Sequence, residues 1–168
     1  LKQRIKEGEL LIGVSVPLNA SKDQMEAIIE KDDYAFIFTD SQHGAFNEET
    51  LLAFCNYANQ LGIPSQFRIK HTRHAYLIGN ILDLGPVGIE VPQVEDIDTV
   101  KEAIRYFYYP QKGGRSVGGG ARYGIEGREG RVEYGNWWNE TGFLTNKIES
   151  IGAVTTAAKL AVDRVDYL

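Results

Sequence analysis

Short apolar runs of strand length alternate with amphipathic segments of helix length along almost the whole sequence, and few folds accommodate that alternation. Residues 10–16 are the first run, stopped by Pro17, and suit a buried parallel strand better than a helix. Ser21 then opens a helix whose Met25, Ile28 and Ile29 share a face; its hydroxyl can accept from the first free backbone amides. Residues 34–39 predict a second strand, the polar turn 40–44 follows, and a helix runs over 47–60. A third strand falls at 64–69. The helix after it spans 73–84, with Tyr76, Leu77, Ile78, Ile81 and Leu82 turned inward and Gly85 as its C-cap. A fourth strand at 87–91 is stopped by Pro92, and a helix at 95–106 carries Ile97, Val100, Ala103 and Ile104 at helical spacing.

The rhythm breaks over residues 107–129, which are rich in glycine and charge and too long for a simple connection. It resumes with a short helix at 131–139, a fifth strand at 143–148, a helix at 150–162 and a sixth strand starting at Val165. Such units call for a parallel sheet with helices outside, either open and doubly wound or closed as a (β/α)₈ barrel. A barrel typically takes ~250 residues. The 168 residues here would supply five units and the start of a sixth, and the apolar run broken off at Leu168 decides for the barrel. Leu1 in place of an initiating Met also reads as a cut end, so residues 1–168 are expected to form a single domain, an incomplete barrel.

Composition narrows the partners. With 18 Lys and Arg against 23 Asp and Glu the formal net charge is −5, which argues against a surface built to neutralise phosphates, and no nucleic acid partner is expected. At 43% hydrophobic residues, disorder is excluded. The lone Cys55 reads as a buried core thiol, no apolar run approaches the ~20 residues of a membrane span, and a cytoplasmic protein fits best.

Barrel enzymes carry their reactive side chains at the C-terminal ends of strands. That rule selects Asp40, Gln42 and His43 after strand two, Arg68 at the end of strand three, and Lys147 and Glu149 after strand five. An Asp three residues before a His in a sharp turn can orient the imidazole and raise its basicity, as a proton shuttle requires. Arg68, in an otherwise apolar strand, must reach solvent, a carboxylate or an anionic ligand. Glu149 reads either as a helix-start carboxylate or as a ligand for a hard metal ion. His71 and His74 have the spacing of a metal pair but lie among basic residues at a helix entry and are placed on the surface. Glu90, unusual within a buried strand, is paired or directed into the barrel and receives no role. The stretch 113–120 could offer amides to an anion, yet lacks the Gly-Lys-Ser/Thr ending of a phosphate loop. Trp137 and Trp138, with Tyr134, read as packing or an interface.

Taken in order, these segments resemble the HpcH/HpaI aldolases, metal-dependent class II enzymes acting on 4-hydroxy-2-oxo acids. The carriers are Asp40-Ser-Gln-His43-Gly44, the strand-three Arg68, Gly85-Pro-Val-Gly-Ile-Glu-Val-Pro92, the Tyr109-Pro-x-x-Gly-x-Arg115 segment ending at Gly118, and Ile148-Glu149-Ser150. The resemblance implies a barrel of the phosphoenolpyruvate/pyruvate-binding type and cleavage to pyruvate and an aldehyde through a metal-stabilised enolate. It implies Glu149 as metal ligand, with Mg²⁺ or Mn²⁺ first and Co²⁺ or Zn²⁺ as further candidates. Arg68 would bind the keto oxygen, His43 with Asp40 would move the proton, and Gln42 and Lys147 join Arg68 as substrate-binding positions. A small oxo acid or pyruvate is the implied partner, and the implied assembly is a homo-oligomer, hexamer or trimer. Two departures stand out. Lys147 occupies the place where the family usually has Gln, and the family's second metal carboxylate falls beyond Leu168. They motivate the alternative of an oxo-acid-binding protein with weak or no turnover; a related acyl-CoA lyase with the same metal-enolate chemistry is the third reading.

Overall fold

A computed structural model of the chain describes residues 1–110, 112–116 and 131–146, with 131–134 and 146 described by their backbone alone. The elements run α1 (Lys2–Lys6), β1 (Gly13–Ser15), α2 (Lys22–Ile29), β2 (Phe36–Asp40), α3 (Glu48–Gln60), β3 (Ser65–Arg68), a 3₁₀ segment (Thr72–Leu77), α4 (Ile78–Asp83), β4 (Gly88–Val91), α5 (Ile97–Phe107), α6 (Arg131–Thr141) and β5 (Phe143–Asn146). The five strands are all parallel and lie side by side in chain order. A doubly wound sheet turns back on itself at a switch point; the unbroken order is that of a (β/α)₈ barrel. The expected fifth helix at 150–162 and the sixth strand from Val165 lie outside the described residues.

Strand alternation sorts the side chains. Ile37, Phe67, Ile89, Val91 and Leu144 point to the face covered by the helices and are buried. They meet a layer formed by Met25 of α2, Leu51, Phe54, Cys55 and Ala58 of α3, Ile78 and Leu82 of α4, and Val100, Ala103 and Phe107 of α5. Cys55 is the core thiol expected, with the Ser65 hydroxyl 3.8 Å from its sulfur. The opposite face carries Gly13, Phe36, Phe38, Asp40, Gln66, Arg68, Gly88, Glu90, Phe143 and Thr145, aligned across the sheet by register. At its lower end the rings of Phe36 and Phe143 meet edge to face at 6.4 Å. Each ring lies over a glycine, so that a Cβ on Gly88 would stand 2.2 Å from the Phe143 ring. The inner face is therefore apolar at the bottom and polar at the top.

Ser21 caps its helix as read from sequence, and the structure adds two further side-chain caps. Ser21 and Gln24 form a reciprocal capping box on α2, and Asn47 and Asp96 accept from Thr50 N–H and Thr99 N–H on α3 and α5.

Three expectations need correction. The first strand is confined to Gly13–Ser15, and Leu10, expected within it, is 86% exposed. Apolar composition there overstated the strand, because pairing with β2 begins only at Gly13. The helix expected over 73–84 is a 3₁₀ segment followed by the short α4, and Tyr76, assigned inward, is 50% exposed. A 3₁₀ turn places side chains every third residue, which rotates Tyr76 out of the face an α-helix would bury. The helix expected at 131–139 extends to Thr141.

Two buried cations hold the lower rim. Lys2 donates to Tyr108 Oη at 3.1 Å and to the carbonyls of Asn139 and Gly142 at 3.2 and 3.3 Å, tying α1 to the α6–β5 junction. Arg115, 2% exposed, lies 4.7 Å from the Tyr109 ring centre and 5.0 Å from that of Trp138, and bonds Asp83. Trp138 is buried within its own chain and donates to the Phe107 carbonyl at 3.0 Å, so of the two tryptophans only the half-buried Trp137 keeps exposed surface.

Candidate functional site

Register alone brings the acidic and basic side chains together. Asp40 at the end of β2 pairs with Arg68 at the end of β3, and Arg68 with Glu90 on β4, so the three occupy one row at the C-terminal edge of the inner face. Arg68 donates from Nε to Asp40 Oδ1 at 2.8 Å and from Nη2 to Oδ2 at 2.6 Å, a bidentate pair. Its Nη1 stands 3.6 Å from Glu90 Oε1, and the Phe38 ring lies beneath the guanidinium at 5.6 Å. Arg68 is thus fixed in plane by Asp40, with a second carboxylate on its remaining edge.

The turn after β2 is built around the same carboxylate. Gln42 N–H donates to Asp40 Oδ1 at 2.8 Å, and the His43 amide also donates to this side chain. Hydrogen bonds from Arg68 hold the Asp40 carboxyl below the usual carboxylate range; partial burial opposes them, and the Gln42 and His43 amides add to the lowering. Asp40 is therefore an anion that organises the turn. The His43 imidazole is exposed and has no hydrogen-bond partner among the described residues, so Asp40 engages the histidine's backbone rather than its ring. Gly44 closes the turn with its α-carbon close to the strand: a Cβ there would sit 2.7 Å from the Asp40 carbonyl oxygen. Gln42 reaches across the mouth, donating from Nε2 to Gln93 Oε1 at 3.2 Å.

Several contributors escaped the sequence reading. Ser41 is buried and donates from Oγ to the Arg68 carbonyl at 2.7 Å, locking the ends of β2 and β3 together. Below the row, Gln66 donates to Thr145 Oγ1 at 2.8 Å, and Thr145 donates to the Ile89 carbonyl at 3.2 Å. Gln93 takes a left-handed backbone at φ 47°, rare outside glycine, directly after Pro92. Glu90 was visible as a charge in an apolar strand, but only the register shows that it faces Arg68. His71, expected at the surface, caps the 3₁₀ segment, its Nδ1 accepting from Arg73 N–H at 3.0 Å. Lys147, Glu149 and most of the stretch 113–120 lie outside the described residues.

No protein-family model matches the chain. A 2-keto-3-deoxy-L-rhamnonate aldolase of Escherichia coli is 27% identical over 172 residues, covering 99% of this chain and 58% of that protein. The Klebsiella pneumoniae protein of the same name is 29% identical over 171 residues, covering 98% and 61%. Among solved structures, an HpcH/HpaI aldolase from Desulfitobacterium hafniense superposes with TM-score 0.73 at 24% identity, over 92% of this chain and 59% of that one. These matches run along nearly the whole chain and agree with the motif order already described. The chain is similar to 2-keto-3-deoxy-L-rhamnonate aldolases in sequence and to an HpcH/HpaI aldolase in fold. The citrate synthase SbnG is a further neighbour, with TM-score 0.76 and 26% identity over 93% of this chain and 58% of its own.

The chain spans about three fifths of the length of the curated relatives it matches. The resemblance described above implies a metal centre. Among the described residues no group of three or more His, Cys, Asp or Glu is placed to hold one, and Asp40 and Glu90 both face the guanidinium. The described residues alone do not fit a metal centre, and Glu149, the ligand implied by resemblance, lies outside them.

Proposed function

We propose that the intact protein is an aldolase that cleaves a 4-hydroxy-2-oxo acid to pyruvate and an aldehyde, with a divalent ion, Mg²⁺ or Mn²⁺, held through Glu149. The observation that carries this reading is the Arg68 guanidinium, aligned by Asp40 at the C-terminal edge of a parallel sheet in barrel order. The aldolase names of relatives matching 98–99% of the chain support it.

In the reaction the C3–C4 bond breaks, its electron pair forms the C2=C3 double bond as the C2 carbonyl π pair moves to the keto oxygen, and the C4 hydroxyl gives up its proton as the aldehyde forms. The resulting enolate is protonated at C3 to give pyruvate. The bound ion would supply Lewis-acid stabilisation of the enolate. Arg68 binds the keto oxygen and meets the charge that develops there, and it is suited to that role because Asp40 has already fixed its plane. The exposed His43, on the turn that Asp40 and Gly44 shape, is the group that moves the proton. Gln42 and Lys147 contribute to substrate binding, the first from the mouth it shares with Gln93.

We place the protein in the cytoplasm as a homo-oligomer, a hexamer or trimer, folding as one barrel domain. The lone buried Cys55 is in keeping with a reducing compartment, and no helix among the described residues is long and apolar enough to cross a membrane. The test is pyruvate release from 4-hydroxy-2-oxo acids by the intact protein, with Mn²⁺ and with excess chelator. Release that requires Mn²⁺ is expected; full turnover in chelator contradicts the metal assignment, and no release in either condition contradicts the activity.

A further inference from the structure

Gln93 is exposed two residues after β4 and holds a left-handed backbone at φ 47°, a conformation that glycine or asparagine adopts at less cost. What glutamine adds there is its side chain, whose Oε1 accepts from Gln42 Nε2 at 3.2 Å. Stability does not account for that bond. Both amides compete with water at the surface, so their pairing adds little to folding. The turn is already held by Gln42 N–H on Asp40 and by the Ser41 hydroxyl on the Arg68 carbonyl. Because β3 lies between β2 and β4, a bridge from the turn after β2 to the turn after β4 crosses the end of β3, where Arg68 stands. That bond uses one of the two N–H groups of Gln42 and one lone pair of Gln93, so by valence the amide pair keeps donors and acceptors for a third group.

We infer that Gln93, with Gln42, determines specificity by reading a hydroxyl on the part of the substrate that leaves as the aldehyde. The inference rests on the oxo-acid reading above and adds to it a residue and the group it recognises. With the keto oxygen on Arg68, the remainder of the acid extends toward the mouth that the two amides cross. His43, the group proposed to move the proton, directly follows Gln42, which puts the carbons from C4 onward beside the same turn. A hydroxyl both donates and accepts, as a carboxamide does, whereas a carboxylate only accepts and an alkyl chain does neither. The amide pair is therefore matched to a hydroxylated tail rather than an acidic or a bare one.

The experiment runs the reaction in reverse on the intact protein at saturating Mn²⁺ and pyruvate. C3 of pyruvate loses a proton and bonds to the aldehyde carbon, and the aldehyde oxygen gains a proton. The acceptors are glycolaldehyde and acetaldehyde, which differ by a single hydroxyl, and the readout is the ratio of their kcat/KM values. The proteins are the unmutated one, Gln93→Met, which removes the amide at similar length, and Gln93→Gly, which removes it and also relieves the left-handed backbone. Both variants should lower the ratio of glycolaldehyde to acetaldehyde by about fivefold, the scale of one neutral hydrogen bond. A ratio that either folded variant leaves unchanged, including equal losses for the two acceptors, overturns the inference and leaves Gln93 a support for the turn. If the unmutated protein forms product from neither acceptor, the aldolase reading itself fails and this inference with it, an outcome distinct from turnover whose ratio ignores Gln93.

Discussion

Replacing Asp40 by Asn removes one charge and one acceptor from the centre of the row while keeping the shape of the side chain. The amide oxygen can still accept from Arg68 Nε and from Gln42 N–H, the two donors now at Oδ1. The other oxygen, which receives Nη2 at 2.6 Å, becomes an NH₂ group facing a donor. One charge-assisted hydrogen bond is lost, ~1.5–3 kcal/mol, along with part of the ionic attraction. Arg68 at 13% and Asp40 at 21% exposure recover some solvation, and Glu90 remains to share the guanidinium charge. The expected net loss is about 2 kcal/mol, or roughly 4–8 °C in Tm for a chain above about 150 residues. The assay is urea unfolding of the intact protein at pH 7 and fixed protein concentration, with Glu90→Gln alongside. Glu90→Gln should cost less than Asp40→Asn, because its contact with Arg68 is longer and part-exposed. An Asp40→Asn protein within about 0.5 kcal/mol of the unmutated one, or a Glu90→Gln protein losing more than Asp40→Asn, would refute the assignment of Asp40 as the residue that fixes Arg68.

The same pair predicts a pH dependence. Because the folded state holds the Asp40 carboxyl below its unfolded value, its stabilisation is complete above the unfolded pKa of about 3.9 and lost as pH falls through the lower folded value. The stability gap between unmutated and Asp40→Asn proteins should hold from pH 7 to 5 and narrow below pH ~4 in urea titrations; a constant gap would contradict it. Gly44→Ala places a Cβ 2.7 Å from a backbone oxygen that cannot move without shifting β2, so activity should fall at least about tenfold while Tm drops only a few degrees; unchanged activity would show that the turn tolerates the shift. Gly88→Ala drives a methyl into the Phe143 ring at 2.2 Å and should cost about 1–3 kcal/mol, relieved by Phe143→Leu in the double mutant, as unfolding midpoints would show.

Much of this was legible in the sequence because strand and helix periods are local. Pro17 and Pro92 bound the first and fourth strands, Ser21 caps its helix as read, and Asp40 and Arg68 were selected by their place at strand ends. What stayed hidden depends on register. Glu90 could be seen as anomalous, but its meeting with Arg68 follows from the pairing of β3 with β4, which no local pattern specifies. Lys2 gives no sign of its buried place, since nothing near it in sequence announces Tyr108, Asn139 and Gly142 as partners. Leu10 and Tyr76 failed in the opposite direction: apolar character was read as burial, where pairing and a 3₁₀ twist leave them outside.

The most direct test of the account is to follow pyruvate release by the intact protein at saturating Mn²⁺, comparing the unmutated enzyme with Arg68→Ala under conditions where circular dichroism shows both folded. The account predicts release from a 4-hydroxy-2-oxo acid by the first and a loss of at least about 100-fold in kcat/KM in the second, the scale of removing one donor to a developing oxyanion. Equal turnover by the two proteins would contradict it, since the guanidinium that Asp40 holds would then have no part in the chemistry.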